Sequence, residues 1–343
     1  MSGGQLSLFD DDVPEGRREA SRSRRPVAAV EPVPIEDDLA ALAAILPSGI
    51  RLGTSSWSFP GWTGLVYAAR DGRPESEQRL ARAGLTAYAA CPLFRTVSLD
   101  RTFYAPLSED EFARYASQVP ASFRFVVKAP SAFTDPVIRG GSGGAMRDNP
   151  TFLDAHAAAT TFVQPAMAGL GATAGPLVFQ FPPLGRRLLA TPARVVTRIA
   201  AFLGSLPRGP LYAAEFRDPE LVTAACGVAL ADAGAVPCLA IHARMPPATA
   251  QATTFGLDRP GCTWPLVARW NLHAGRGYEE ARADYFPFDR LVEEDASSRT
   301  ALAGLARRCV AAGRDVFITI NNKAEGSAPL SVRRLAEAIR AHV

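Results

Sequence analysis

Short apolar runs alternate with amphipathic segments along the chain from about residue 45 to the C-terminus. Eight runs of four to seven residues are rich in β-branched and aromatic side chains, and they have the length typical of buried strands. They lie at residues 50–56, 96–99, 123–128, 177–181, 211–216, 236–242, 265–269 and 316–320. The pattern therefore predicts eight strands.

Most of the segments between these runs have helical periodicity. Leu302, Leu305 and Cys309, for example, share one face of a 3.6-residue period. Helices are predicted at residues 75–90, 109–118, 149–168, 192–203, 219–233, 299–312 and 330–342. The segment after the sixth run is the only poorly helical one.

Alternating strands and helices predict parallel pairing with right-handed crossovers. Eight such units in about 300 residues favour an α/β fold of the closed (β/α)8 TIM-barrel type, a single domain over residues 45–343. The alternative is an open, doubly wound sheet. Against it, no Gly-x-Gly-x-x-Gly turn follows the first run, and the glycine cluster at 140–144 lacks the Lys-Ser or Lys-Thr of a phosphate loop.

The composition is that of a soluble protein, with 343 residues, 48% hydrophobic, 21% charged and a mean hydropathy of +0.03. No apolar stretch is long enough to span a membrane, and the N-terminus lacks a secretory signal. We therefore expect a cytoplasmic protein without a membrane partner. The five cysteines are too scattered for a disulfide framework or zinc knuckle and are read as reduced, mostly buried thiols.

Charge is distributed unevenly over the chain. Residues 1–38 carry five Arg and nine acidic groups, so the remainder of the chain has a net charge of +7. The basic side chains are almost all Arg, and Lys128 and Lys323 are the only lysines. Arg suits phosphate recognition, but a GC-rich genome would give the same bias, so nucleic acid stays open as a partner.

Polar or aromatic residues follow almost every predicted strand. In a (β/α)8 barrel the carboxyl ends of the strands gather at one mouth, where active sites are built. A binding or catalytic site is therefore predicted there. Its candidate residues are Trp57, Trp62, Asp100, Tyr104, Lys128, Gln180, Glu215, Arg217, Arg269, Asn321 and Asn322.

Lys128, Glu215 and Asp100 are the candidate catalytic residues. Lys128 ends the third run, where its amine is either an anion binder or tuned base, or the partner of Glu215 in a structural ion pair. Glu215 and Arg217 share a strand face, because side chains alternate with period two. A carboxylate held by a guanidinium stays ionised, so Glu215 is expected to position a hydroxyl or water.

The other candidates make the mouth polar and cationic, which suits a phosphate, a carboxylate or sugar hydroxyls. Trp57, Trp62 and Tyr104 either stack on a base or sugar ring or pack beneath loops. No His-x-x-x-His or Cys-x-x-Cys spacing is present, so no metal site is assigned, although a magnesium site at Asp100 and Glu215 stays open. No cofactor is assigned.

Several blocks of sequence carry a family resemblance. They are residues 53–62 (GTSSWSFPGW), 94–97 (FRTV), 102–104 (TFY), 125–129 (FVVKA), 179–183 (FQFPP), 214–217 (AEFR) and Asn321-Asn322 before Gly326. Together they resemble the YecE-like family, domain of unknown function 72. The resemblance implies a (β/α)8 barrel similar to those of metal-dependent apurinic endonucleases and sugar isomerases, and it implies no established activity.

The chain departs from that family pattern at the second strand, which reads Ser98 and Asp100 where Glu and Asn are usual. It also has Asp135, Asp218 and Asn271 where the resemblance implies His. These differences remove acid or metal-ligand capacity. They favour a protein that binds without catalysing, or one with different chemistry.

The N-terminal tail carries a second resemblance. The tail contains a five-residue peptide that resembles the one with which bacterial replication and repair proteins bind the sliding clamp; it consists of Gln5, Leu6, Ser7, Leu8 and Phe9. Residues 1–9 are therefore assigned to a clamp-binding-like peptide. Residues 10–44, rich in Pro, Arg, Ser and acid up to residue 38, are expected to form a disordered linker.

Three functions fit these observations. The first is a clamp-associated enzyme of DNA transactions, a hydrolase or lyase whose barrel acts on a phosphate- or sugar-containing ligand. The second is a clamp-recruited accessory protein that only binds. The third is a sugar-phosphate enzyme unrelated to DNA.

Overall fold

The computed structural model of the protein describes residues 29–138 and 146–341, and its centre is a closed barrel of eight parallel strands. The barrel strands are β1 Ile50–Thr54, β2 Phe94–Leu99, β3 Arg124–Lys128, β6 Ala174–Phe181, β7 Tyr212–Phe216, β8 Ala235–Ile241, β9 Leu266–Trp270 and β10 Val316–Ile320. Their order around the barrel is β1-β10-β9-β8-β7-β6-β3-β2, and β1 closes the ring by pairing with both β2 and β10. The predicted (β/α)8 architecture is confirmed.

Helices surround the barrel. They are α1 Asp37–Ile45, α2 Glu77–Ala83, α3 Leu85–Ala89, α4 Glu109–Ala116, α5 Ser131–Thr134, α6 Ala155–Ala158, α7 Gln164–Leu170, α8 Gly185–Leu189, α9 Pro192–Gly204, α10 Ala224–Asp232, α11 Ala248–Phe255, α12 Tyr278–Tyr285, α13 Ala296–Ala311 and α14 Ala328–Arg340. A π-helical segment, Ala159–Val163, joins α6 to α7, and the short strands β4 Val137–Ile138 and β5 Arg147–Asp148 pair outside the barrel. Among the described residues, no helix is long and apolar enough to cross a membrane.

The barrel interior contains a layer of small and medium apolar side chains. Val126, Val178, Ala213, Val267 and Phe317 belong to this layer, and each is at most 5% exposed. Because side chains alternate along a strand, the residue two positions later points the same way and lies one layer nearer the mouth. The alternation therefore determines which strand-end residues face into the mouth.

The junction of β1 and β2 depends on a glycine. The register between these strands shifts between Leu52 and Gly53, and a Cβ on Gly53 would lie 1.8 Å from the carbonyl oxygen of Thr96. A distance this short is a direct clash with backbone. Gly53 therefore allows the close approach that brings β1 against β2 at the closure of the barrel.

The structured chain begins earlier than the sequence-based boundary at residue 45. Val30 is buried, and helix α1, which packs on α14, buries Leu42 and Ala43. Arg333 of α14 forms ion pairs with acidic residues at the start of α1. Residues 29–44 are therefore part of the domain, because Val30, Leu42 and Ala43 are buried and Glu36 and Asp38 form ion pairs with Arg333 of α14. The rest of the predicted linker, residues 10–28, lies outside the described residues, as do the pentapeptide at 5–9 and the glycine cluster at 140–144.

The thiols are largely internal, as expected. Cys226, Cys238 and Cys309 are buried, and Cys91 and Cys262 are partly exposed. Burial raises the pKa of Cys226 to about 12, so this thiol is protonated and unreactive at neutral pH.

Candidate functional site

A polar layer lies directly above the apolar layer of the barrel, and period-two alternation places it there. Lys128 follows Val126 by two residues on β3, and Arg269 follows Val267 by two on β9. Gln180 and Glu215 occupy the equivalent positions of β6 and β7 and are paired in register. The barrel thus brings together candidates that lie far apart in the sequence, with charged groups at the mouth and apolar groups beneath.

Arg269 lies at the centre of this layer, only 2% exposed, between two carboxylates. Its Nη2 donates hydrogen bonds of 2.9 and 2.8 Å to Oδ1 and Oδ2 of Asp100, and its Nε lies 3.5 Å from Oε2 of Glu215. Arg217 forms an ion pair with Oε1 of Glu215, and Asn271 donates to the same oxygen at 3.2 Å. Two arginines and an amide therefore hold Glu215.

This arrangement keeps Asp100 ionised. Burial opposes its charge, but Arg269, Lys128 and the hydroxyl of Ser98, which donates to Asp100 over 2.6 Å, outweigh burial and lower the pKa of Asp100. Burial also opposes the charge of Arg269, and the two carboxylates overcome it and raise the pKa of that guanidinium. Asp100 is thus suited to position Arg269 and not to donate a proton, and Glu215 holds Arg269 from the other side.

The amine of Lys128 lies beside this cluster without joining it. Its Nζ is 3.5 Å from the ring centroid of Phe103, and it forms no ion pair with any described residue. The structural ion pair with Glu215 that the sequence left open is therefore absent. Burial, followed by the charges of Arg269 and Arg217, lowers the pKa of Lys128 to about 8, although Asp100 and Glu215 act in the opposite direction.

The position of Phe103 is fixed by its neighbour Thr102. The Thr102 hydroxyl donates to the carbonyl oxygen of Leu99 at 2.7 Å and also to that of Lys128. These bonds attach the turn Arg101–Phe103, which follows β2, to the end of β3. The aromatic face under Lys128 is thereby held in place by two strands.

Lys323 is a second amine at the mouth, which the sequence analysis did not include in the site. It lies in the turn Asn322–Ala324 after β10, is 8% exposed, and has its Nζ 4.4 Å from the ring centroid of Tyr278. It too has no ion pair within the described part of the chain. Burial and the charge of Arg282 lower its pKa to about 8, against the opposing charge of Asp100. The sequence could have indicated Lys323 as a site residue, because it is one of only two lysines in an arginine-rich chain.

The predicted aromatic residues divide into two groups. Trp57 and Trp62 are buried in the core, where their indole N–H groups donate to the carbonyl oxygen of Leu80 at 3.0 Å and to Oδ1 of Asn322 at 3.2 Å. Both rings therefore pack beneath loops and are not available to stack on a ligand. Tyr104, in contrast, is 66% exposed at the mouth.

Tyr278 is a further aromatic residue at the mouth that the sequence analysis did not include. It is 47% exposed, and its pKa is raised by burial and by the charge of Tyr104, which lies on the same side of the mouth. Tyr104 and Tyr278 could contact a ligand ring.

The asparagines after β10 have local partners. Asn322 is buried, and its Oδ1 also accepts from the backbone of Ala328 at 2.9 Å, at the start of α14. Oδ1 of Asn321 accepts from the backbone N–H of Lys323 at 3.0 Å. Asn321 therefore shapes the turn that carries Lys323, and Asn322 anchors that turn to Trp62 and α14.

Histidine and metal chemistry find little support in the geometry. His242 follows β8, and burial together with the charge of Arg217 lowers its pKa to about 4, so the imidazole is neutral at physiological pH. Among residues 29–138 and 146–341, no group of three or more His, Cys, Asp or Glu side chains could hold a metal ion. Asp100 and Glu215, the open magnesium candidates, are both occupied by Arg269.

Two depressions of the described surface lie away from the polar layer. Two surface depressions, of about 350 and about 100 Å³, lie beside α12 and beside the segment after α9, and neither is lined by Arg269 or by a lysine. Tyr104, Tyr278 and the amines of Lys128 and Lys323 all interact electrostatically with Asp100, so they are grouped where they could contact one ligand. Nη1 of Arg269 has no hydrogen-bond partner among the described residues, so the layer below retains donor capacity.

Comparison with known proteins identifies the family. The family model described as "Protein of unknown function DUF72" matches residues 51–343, which is the whole barrel from β1 onward. The chain belongs to the DUF72 family. The family resemblance found in the sequence is thereby confirmed, and no curated protein matches the chain.

Solved structures of other DUF72 proteins share the fold. A DUF72 protein from Enterococcus faecalis V583 is 15% identical with a TM-score of 0.58, over 84% of this chain and 95% of that one. A second crystal structure of the same protein gives 14% identity and a TM-score of 0.52, covering 84% and 97%. A DUF72 protein from Thermotoga maritima MSB8 is 18% identical with a TM-score of 0.56, over 84% and 98%. At these identities, the likeness shows a common barrel.

The positions at which this DUF72 chain departs from the expected pattern all have partners. Ser98 and Asn271 bind the two carboxylates that hold Arg269. Oδ2 of Asp218 accepts from the backbone of Leu184 at 2.8 Å, and Oδ1 of Asp135 accepts from that of Val137 at 3.1 Å. The polar groups at these positions therefore all take part in contacts within the folded chain.

Proposed function

We propose that the mouth of the barrel binds a ligand through a phosphate or another anionic group. One observation carries the proposal. The only two lysines of the chain both lie at the mouth, each against an aromatic ring and neither paired with a carboxylate in the described structure. Arg217 and Arg269, in contrast, both engage the buried carboxylate of Glu215, and Arg299 engages that of Glu325.

Electrostatics support an anionic ligand. Burial of an ammonium without a counterion is unfavourable, and the lowered pKa values of Lys128 and Lys323 record that penalty. An anion placed between the two amines would offset it and raise both pKa values. Tyr104 and Tyr278 add exposed aromatic faces, which fit a sugar phosphate or a nucleotide.

A catalytic role for the mouth goes one step beyond ligand binding. In it, Glu215 orients a water molecule or a hydroxyl while Lys128 and Lys323 stabilise the negative charge that develops on a phosphoester or sugar substrate. Arg217, Arg269 and Asn271 hold the carboxylate of Glu215 in place, which supports a role in orienting the water or hydroxyl. The lowered pKa of Asp100 argues against a general acid at that residue. If the mouth does not catalyse, the same residues would bind the ligand without turnover.

Calorimetric titration with inorganic phosphate, a sugar phosphate and a nucleoside monophosphate tests this function. We expect Lys128→Met and Lys323→Met each to weaken binding by about tenfold, since loss of one charge-assisted contact costs roughly 1.5 kcal/mol. Arg198→Met is the matched control, because Arg198 is also a cation near an aromatic ring, 5.6 Å from the centroid of Phe152, on α9. Equal affinities for wild type and both lysine variants would overturn the proposal.

Recruitment to the sliding clamp is a second proposal, and it rests on sequence. Gln5, Leu6, Ser7, Leu8 and Phe9 match all five positions of the clamp-binding pentapeptide, with two apolar side chains to enter a pocket. This would bring the barrel to DNA, where its anion-binding mouth could meet a damaged or single-stranded substrate.

The clamp proposal is tested with the full chain and a purified bacterial sliding clamp. We expect the double variant Leu8→Ala, Phe9→Ala to lose binding by at least about tenfold, because the two side chains supply the apolar contact. A double variant Val13→Ala, Val27→Ala removes comparable apolar groups outside the pentapeptide and should bind normally. Unchanged clamp affinity of the Leu8, Phe9 variant would refute recruitment through this peptide.

A further inference from the structure

We propose that Nζ of Lys128 forms a covalent imine with the carbonyl carbon of a small anionic aldehyde or ketone bound at the mouth. The inference rests on the proposed function, because it takes the anion-binding mouth as the place where such a compound is held. It adds a reactive group to that site and a class of ligand, the anionic carbonyl compounds.

The placement of Lys128 is that of a nucleophile. It ends the rigid strand β3, so its position is set by the barrel, and its side chain is partly exposed and therefore reachable from the mouth. Nζ lies against Phe103, 3.5 Å from the ring centroid, and no described carboxylate is close enough for an ion pair. Arg269 and Arg217 hold the two acids that would otherwise neutralise the amine.

The charge environment supplies the neutral amine that imine formation needs. Neighbouring cations and burial are the two established ways to activate a lysine, and Lys128 has both in Arg269, Arg217 and its enclosed position. Its pKa of about 8 leaves about half of the amine neutral at pH 8, whereas an ordinary lysine is neutral to well under about 1%.

The position of Lys323 indicates that the carbonyl compound carries an anionic group. It lies on another strand end, it carries no ion pair in the described chain, and its charge and that of Lys128 both interact with Asp100. One amine can therefore react while the other holds the anionic group. The charge of Asp100 also favours the cationic imine that would form at Lys128.

The reaction balances without an added oxidant or reductant. The nitrogen lone pair forms the C–N bond while the carbonyl π pair moves to oxygen. The nitrogen then loses one proton, and the oxygen gains two, one that came from nitrogen and one from solvent. The C–O bond breaks to release water, which leaves a protonated imine on Lys128, and hydrolysis reverses the same steps.

Reductive trapping tests the proposal on the full chain. The protein is incubated at pH 8 with pyruvate and cyanoborohydride, and the modified amines are located by mass spectrometry of peptides. Only Lys128, Lys323 and the α-amino group can react. We expect modification of Lys128 to be at least about tenfold faster than that of either other amine, and to be absent in Lys128→Arg, which keeps the positive charge.

The role of the anionic group is tested by changing the probe. Lys323→Met should slow the trapping of pyruvate at Lys128 and leave the trapping of uncharged acetone unchanged, because acetone has no group for Lys323 to bind. Arg198→Met, outside the mouth, should alter neither rate. Equal reaction of all three amines with pyruvate, or reaction confined to Lys323, would overturn the imine proposal.

The two proposals fail in different ways. If inorganic phosphate binds to wild type and loses affinity in Lys323→Met, but pyruvate is not trapped, the imine at Lys128 is overturned and the anion-binding function stands. If phosphate binding does not depend on either lysine and no trapping occurs, both proposals are overturned.

Discussion

The residue that organises the mouth is Arg269, a buried cation between two carboxylates. Its guanidinium is fixed by a two-oxygen contact with Asp100, while Glu215 is shared with Arg217. A buried ion cluster of this kind contributes little net stability compared with apolar residues, but removing one member leaves a charge unpaired in the interior. Each charge of the cluster is therefore stable in the interior only while its partners are present.

Replacing Glu215 with Gln should expose that dependence. The free energy of unfolding is expected to fall by roughly 3–5 kcal/mol, because Arg217 and Arg269 lose a buried counterion. Urea denaturation of both proteins measures the difference. Asp148→Asn is the control, since its ion pair with Arg187 is exposed on both sides and should contribute less than about 1 kcal/mol. A loss below about 1 kcal/mol for Glu215→Gln would contradict the buried cluster.

The pH dependence of anion binding follows from the lysines. Their pKa values of about 8 mean that both ammonium groups are present at pH 7 and largely neutral at pH 9. Affinity should therefore be full below about pH 7 and fall by up to about tenfold for each lysine between pH 7 and pH 9. Titration with sulfate, whose own charge does not change in this range, measures the affinity at each pH. A constant affinity would show that neither amine binds the anion.

Some of these residues can be found from the sequence and others cannot. Lys128, Glu215 and Arg269 are detectable because each lies at or near the end of an apolar run, where the period of two sets the direction of its side chain. Trp57 and Trp62 are not separable from ligand-stacking residues, because a partner such as Asn322 lies 260 positions from Trp62. Contacts of that range exist only in the folded chain.

At the scale of elements, the closure of the barrel depends on how closely β1 approaches β2. Gly53→Ala should lower the free energy of unfolding by at least about 2 kcal/mol, because the added Cβ would lie 1.8 Å from the carbonyl oxygen of Thr96. Gly204→Ala at the end of α9 is the matched control. Its Cβ would meet Ala233 at an ordinary 3.6 Å, so a gain of up to about 1 kcal/mol is expected. Thermal and urea unfolding of both variants measure these changes in stability. Equal effects of the two substitutions would contradict the need for a glycine at position 53.

The elements themselves are well predicted where their periodicity is strong. All eight apolar runs contain or overlap barrel strands, and helix α13 spans the residues whose helical face was clearest in the sequence. Helix α1 was missed, because its two acids and the prolines before it resemble a linker, and only its packing on α14 reveals the apolar face. The poorly helical segment after the sixth run contains the short helix α11.

At the scale of the whole molecule, the barrel explains why residues from β2 to β10 form one site. The DUF72 structures share this architecture at 14–18% identity, so closure of the barrel is retained while most side chains have changed. The fold alone assigns no activity. The function proposed for this chain therefore rests on the side chains at its own mouth, above all on the two amines.

Lysine-selective ¹³C labelling followed by NMR tests that claim most directly, because a chain with two lysines gives only two Cε signals. We expect both signals to titrate with midpoints near pH 8, and we expect inorganic phosphate to shift both signals and to move their midpoints upward. Lys128→Met and Lys323→Met assign the signals. Two lysines that titrate near their ordinary pKa and do not respond to phosphate would contradict an anion-binding mouth.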